Sequence, residues 1–203
     1  MKPFSYSALL LGVCLLTACG PSSPEEEYLE AVADARTASE RHNELFLNLE
    51  LGMPRQAFFD TCTVLNQQKL ITMGRGGTTV DYRLTNGELP RPARLTFAPT
   101  FTEERPGQVA VMNVIYIYED WAPWNPNASA DSLLIHVRDY YTEQYGDQPW
   151  YNFDHPQVGP VYTQIIGNRR TAFWKHSDNA QVRGRITDLT LLPDDPLGPT
   201  ASF

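Results

Sequence analysis

Four histidines, His42, His136, His155 and His176, are the side chains of this chain best suited to moving protons near neutral pH. Two have an acid nearby in sequence, in Asp154-His155 and His176-Ser177-Asp178, and a histidine with an acid is the base-and-orienter half of a nucleophilic triad. Triad members meet across a fold, however, whereas neighbours on a strand or turn point in different directions. The second set therefore reads as a hairpin turn. No His-Glu-x-x-His, Cys-x-x-Cys or calcium-loop spacing occurs, and Gly74, Gly76 and Gly77 lack the lysine and spacing of a phosphate-binding loop. Glu103-Glu104 and Asp194-Asp195 fall in loop and tail, where carboxylates are solvated. The expectation is no catalytic residue, no metal and no cofactor.

Two surfaces can bind rather than react. Trp121, Trp124, Trp150, Tyr151 and Phe153 fall in two long loops, where aromatic side chains stack on sugars or anchor a partner. The alternative is that they fold back and cap the core. The other surface is basic: Arg83, Arg94, Lys175, Arg183 and Arg185 occupy polar strand positions opposite the apolar ones. On an uncovered sheet face they would suit an acidic protein or a carboxylate-bearing cell-wall polymer. The alternative is cross-strand pairing with acids such as Asp81.

The elements that must position these residues follow from periodicity. Residues 25–43 lack Gly and Pro and are rich in Ala, Glu and Arg, which predicts a helix with acids in its first turn. Leu45, Leu47, Leu49 and Leu51 alternate with other residues and suggest a short extended segment, with a helical end as the alternative. Pro54 starts a helix whose apolar face carries Phe58, Cys62 and Leu65, making Cys62 a small core residue. Strand signals follow at Val80 to Leu84, at Leu95 and Phe97, and at Val109 to Tyr118, which is apolar on both faces. Ser129 offers a cap for another helix bearing Leu133, Val137, Tyr140, Tyr141 and Gln144, and Gly146 stops it. Strands are then expected at Val161 to Ile166, Arg170 to His176 and Gln181 to Leu191, the first two joined by a Gly167-Asn168 turn.

Helix plus three strands, twice, at about 54–118 and 130–191, predicts an α+β fold. One antiparallel sheet of about six strands would carry its helices on one face, preceded by an N-terminal helix. The divisions are a leader at 1–18, a tether at 19–24, a helix and lead-in at 25–50, the domain at 51–192 and a flexible tail at 193–203.

Leu16-Thr17-Ala18-Cys19, followed by Gly20, ends a short apolar run that begins after Lys2. It resembles the lipobox of bacterial lipoproteins. That resemblance implies cleavage ahead of Cys19, lipid on its thiol, and membrane attachment; Gly20 rather than Asp then favours an outer membrane. Several acyl chains at roughly 0.8 kcal/mol per buried methylene would anchor durably where one would not. Removing residues 1–18 from the 203 leaves 185, and loss of Lys2 takes the net charge from −8 to −9. An acidic chain argues against nucleic acid as a partner. With Cys19 acylated, Cys62 has no cysteine to pair with, so no internal disulfide is expected.

Gly52, Met53 and Ala57 at the start of a helix, followed by a meander of strands, resemble the SmpA/OmlA (BamE-like) lipoproteins and the two-repeat β-lactamase-inhibitor-like fold. The chain as a whole also resembles exported lipoproteins of Bacteroidota. An anchored, disulfide-free α+β domain with no reactive cluster points to a non-enzymatic envelope module that binds or assembles with an envelope protein. A binder of glycan or peptidoglycan fragments is the alternative, and a hydrolase a more distant one.

Overall fold

The computed structural model describes residues 23–195. The leader, Cys19 and most of the tether lie outside the described residues, as does the tail beyond Asp195.

Helix α1 (Pro24–Arg36) opens on a capping box: the Ser23 hydroxyl accepts from the Glu26 backbone N–H, and the Glu26 carboxylate accepts from Ser23 N–H. Glu25, Glu26 and Glu27 in the first turn and Arg36 in the last complement the helix dipole. The helix ends seven residues before the expected Asn43. The leucine run after it is not a strand. Leu47 and Asn48 take positive φ, Leu45 N–H bonds the Leu49 carbonyl, and this tight loop buries Leu45, Phe46, Leu49 and Leu51.

Helix α2 (Arg55–Gln67) and helix α3 (Ala130–Tyr145) each lead into four strands, not three. The first set is β1 (Ile71–Met73), β2 (Val80–Leu84), β3 (Ala93–Phe101) and β4 (Val109–Tyr118). The second is β5 (Trp150–His155), β6 (Gly159–Ile166), β7 (Arg169–Lys175) and β8 (Gln181–Asp188). All eight join one antiparallel sheet in the order β1-β2-β3-β4-β8-β7-β6-β5. The two strands unexpected from sequence are the two edges. β1 is only three residues long, and β5 hides its alternation because both its faces carry aromatics.

Register assigns the faces. Met112, Val114, Tyr116 and Tyr118 of β4 share the first face with Leu95 and Phe97 of β3 and Val182 and Ile186 of β8. Against it pack Phe58 of α2 and Leu133, Val137 and Tyr141 of α3, and the buried Tyr116 and Tyr141 hydroxyls hydrogen-bond at 2.9 Å. Cys62 is half-buried at the edge of this core, and burial raises its thiol pKa.

The two domain helices α2 and α3 share the first face, while the preceding N-terminal helix takes the other. Helix α1 packs on the second face, at the β5–β7 end, where Tyr28, Val32 and Ala35 meet Leu189, Tyr151, Phe153 and Ile165. The reason is local composition: this end of the sheet is apolar on both sides, so both need cover. Tyr28 sits 5.4 Å, ring to ring, from both Tyr151 and Phe153.

The start of the expected flexible tail is also docked. Asp195 has a fully buried side chain. It is bonded by Arg170, by Arg185 Nε at 2.7 Å and by the Thr187 hydroxyl at 2.7 Å. Arg36 of α1 donates to the Pro193 carbonyl at 3.0 Å. Arg170 is only 3 % exposed, so removing the shared carboxylate would leave buried positive charge uncompensated. Asp195→Ala should therefore destabilise the fold by about 3–5 kcal/mol in urea unfolding. Asp194→Ala, at a side chain 92 % exposed, should shift it by less than about 0.5 kcal/mol. Equal effects of the two substitutions would contradict this assignment.

Candidate functional site

With α1 confined to the β5–β7 end, the second face is uncovered over the remaining strands. Pairing across the sheet sets Arg83 opposite Arg94, Arg94 opposite Ile117, and Ile115 opposite Arg183, which in turn faces Trp174. The result is a surface on which guanidinium groups flank half-buried isoleucines.

Its five expected cations do not behave alike. Arg83 forms a two-pronged pair with Glu119, at 2.6 and 2.7 Å. That hydrogen bond, with the positive charges of Arg83 and Arg94, holds the Glu119 carboxyl below its usual range. Arg185 is committed to Asp195 and to Asn113 Oδ1. Lys175 is on the wrong face: it pairs in register with Val182, so it projects toward α3 and bonds Asp131. Period-two alternation along β7 puts Lys175 with Phe173 and Thr171, and opposite Trp174. Arg94 and Arg183 alone of the five make no hydrogen bond or salt bridge among the described residues, and Arg183 Nε is buried without a partner.

The aromatic candidates separate in the same way. Trp150, Tyr151 and Phe153 are on strand β5, not in a loop. Trp150 donates to the Thr142 hydroxyl at 3.0 Å and lies beside Phe173, with the Arg138 guanidinium 5.2 Å from its ring. Tyr151 is held by Tyr28. Trp121 donates to the Asn179 carbonyl at 3.1 Å. Only Trp124 is freely displayed, 83 % exposed, at the rim of a cavity of about 290 Å³ lined by Trp121, Pro123, Pro126 and Asp131.

Each histidine has its own local partner. His136 Nδ1 is 2.6 Å from the Tyr118 hydroxyl, and His155 accepts from Gln157 N–H. His176 pairs with Asp178 in the β7–β8 turn, and His42 with Glu40. Among the described residues no group of three or more His, Cys, Asp or Glu could hold a metal ion.

Sequence reasoning missed a larger feature. On the first face, beside α3, a cleft of about 580 Å³ is lined by the Glu44–Leu47 loop segment, Tyr82 of β2, Glu88, and Tyr140, Gln144 and Tyr145 of α3. The Tyr82 hydroxyl donates to Glu88 at 3.0 Å, and the Asn86 backbone N–H binds the other carboxylate oxygen at 2.7 Å. Burial and then Glu88 push Tyr82 up to about 12, and the same two causes raise Tyr140. The Tyr82 and Tyr140 phenols therefore hold their protons, and Glu44 and Glu88 are the acidic side chains of the lining. The lining comes from four separate stretches of chain, so no local pattern announced it.

Comparison with protein-family models, with curated proteins and with solved structures finds no match in any of the three. Among the described residues no helix is long and apolar enough to cross a membrane.

The aromatic assignments separate by stability. Trp150→Ala should cost about 3 kcal/mol through lost packing, and Trp124→Ala less than about 0.5 kcal/mol. Urea midpoints of the two variants give the comparison, and a Trp124 effect as large as that of Trp150 would refute the placement.

Proposed function

We propose that this chain is a lipid-anchored envelope lipoprotein that acts as a non-enzymatic binding or assembly module, docking an acidic partner on the uncovered half of its second sheet face. The observation carrying this reading is the pair Arg94 and Arg183. Neither makes a hydrogen bond or salt bridge among the described residues, and they flank Ile115 and Ile117 in a chain of net charge −8. Desolvated guanidinium groups beside apolar side chains are favoured at interfaces, because the fork geometry meets carboxylates while the stem packs. The lipobox at Leu16 to Cys19 supplies the anchor, and α1 follows it in the chain ahead of the sheet.

Membrane attachment and docking can be read in one set of cells. Cys19→Ala should move the protein from the membrane to the soluble fraction. With Cys19 intact, a photocrosslinking residue at Ile117 should give a discrete adduct at native expression. Arg94→Glu with Arg183→Glu should reduce that adduct at least fivefold, while Lys175→Glu should leave it unchanged. Full membrane retention of Cys19→Ala would defeat the anchor, and an adduct insensitive to the double charge reversal would defeat the docking face.

A second reading rests on Trp124. A freely displayed indole beside a cavity walled by Trp121 and two prolines is suited to stacking on a sugar ring. Glycan or peptidoglycan-fragment binding predicts quenched tryptophan emission on adding cell-wall oligosaccharides, with the quenching lost in Trp124→Ala. Emission unchanged across such a series removes this reading.

A further inference from the structure

The cleft beside α3 lies on the opposite face of the sheet from the proposed docking surface and has different chemistry. Its walls are phenol rings and apolar side chains: Tyr82, Tyr140 and Tyr145 with Leu45, Phe46 and Leu47. Its only ionic lining groups are Glu44 and Glu88. The Glu88 carboxylate accepts one hydrogen bond on each oxygen, which orients it and leaves further lone pairs. The Glu44 carboxylate has no hydrogen bond or salt bridge among the described residues. Arg169 is buried and does not line the cleft, though its positive charge interacts with Glu44; it donates to the Glu44 carbonyl, and its guanidinium lies 4.1 Å from the Tyr145 ring centroid. A neighbouring hollow of about 290 Å³ shares Glu88 and Tyr140 and adds Asp139, Glu143 and His136, which extends the negative field along α3.

The geometry points to a binding site for an alkylammonium group, carried by a free diamine or by a lysine side chain of a peptide. An ammonium head can sit against the π face of a tyrosine while a carboxylate compensates its charge, and its methylenes find apolar contact. The Arg169 guanidinium already sits over the Tyr145 ring, which leaves Tyr82 and Tyr140 as the rings for the ammonium. A bare metal ion fits less well, since among the described residues neither Glu44 nor Glu88 belongs to a cluster of three or more potential ligands. The site also agrees with the neutral state of its tyrosines: the phenols add no charge of their own, and binding is carried by the glutamates.

Amide chemical shifts of the ¹⁵N-labelled full chain in mild detergent test this. Butylammonium, 1,5-diaminopentane and Nα-acetyl-lysine methylamide are the probes, and butanoate is the anionic control of matched length. The cations should move the amides of residues 44–47, Glu88 and Tyr140, and butanoate should not. Tyr140→Leu, which keeps bulk, and Glu44→Gln, at an exposed side chain outside the core, should each weaken binding by roughly fivefold. Arg94→Ala, on the other face, should leave it unchanged. Tighter binding of the diamine than of the lysine derivative assigns a free amine, and the reverse order assigns a peptide side chain. Equal response to butanoate, affinity unaltered in both cleft variants, or no shift with any cation would overturn the proposal. None of these outcomes bears on the docking face, whose test reads a different surface.

Discussion

The pairing of β4 with β8 is the constraint on which the rest of the structure depends. Seven register pairs, from Val111 with Thr187 to Ile117 with Gln181, join two helix-plus-four-strand halves into one sheet. At the middle of that seam is Gly184. A Cβ there would lie 2.4 Å from the Phe173 ring and 2.8 Å from Val114, closer than carbon atoms approach. The missing side chain lets Phe173 lie across the seam, where its ring meets Tyr116, Tyr141 and Trp150. Those contacts set α3 on the sheet. Its position in turn brings Tyr140 and Tyr145 over toward Tyr82 of the other half.

The two faces of the sheet are finished by different means. The first is closed by apolar packing from α2, α3 and the Leu45–Leu51 loop, with the Tyr116–Tyr141 hydrogen bond satisfying the two hydroxyls this burial would otherwise strand. The second is closed only at one end, and there polar chemistry shares the task. Asp195 accepts from two arginines and a threonine beneath the last described residues, while Arg36 ties α1 to the same segment. An apolar cover would stabilise such a site as well or better. The ionic version adds specificity, since only a chain segment presenting a carboxylate at that point can dock. It also removes Arg170 and Arg185 from the surface available to other molecules.

That division gives the proposed roles of the molecule their places. Helix α1 and the docked segment through Asp195 occupy one part of the second face. The arginines left over, Arg94 and Arg183, lie beyond them on the β3–β4–β8 surface. The tyrosine cleft is on the opposite side of the sheet, so a partner on one face and a small cation on the other need not compete.

Much of the architecture was legible in the chain. The helix signals at Pro54 and Ser129, the stop at Gly146, the Gly167-Asn168 turn and the two-sided strand at Val109 to Tyr118 act over a few residues, and each formed as expected. Local rules failed where an element's neighbours decide its state. The alternating leucines of 45–51 match a strand, but burial under the first face bends them into a loop; Trp150 to Phe153 resemble a loop, but an edge of the sheet recruits them. Lys175 needed only a one-residue change of phase to leave the expected surface. By itself, then, the sequence determined the class of fold, the repeated order of helix and strands, and the expectation of a lipid anchor at Cys19, because those depend on short-range geometry and on a contiguous motif. Tertiary structure alone decided which face α1 covers, which arginines stay free, and that Glu44, Tyr82, Glu88 and Tyr140 share a cleft. Each of those depends on strand register and on contacts between residues far apart in the chain, which no local pattern encodes.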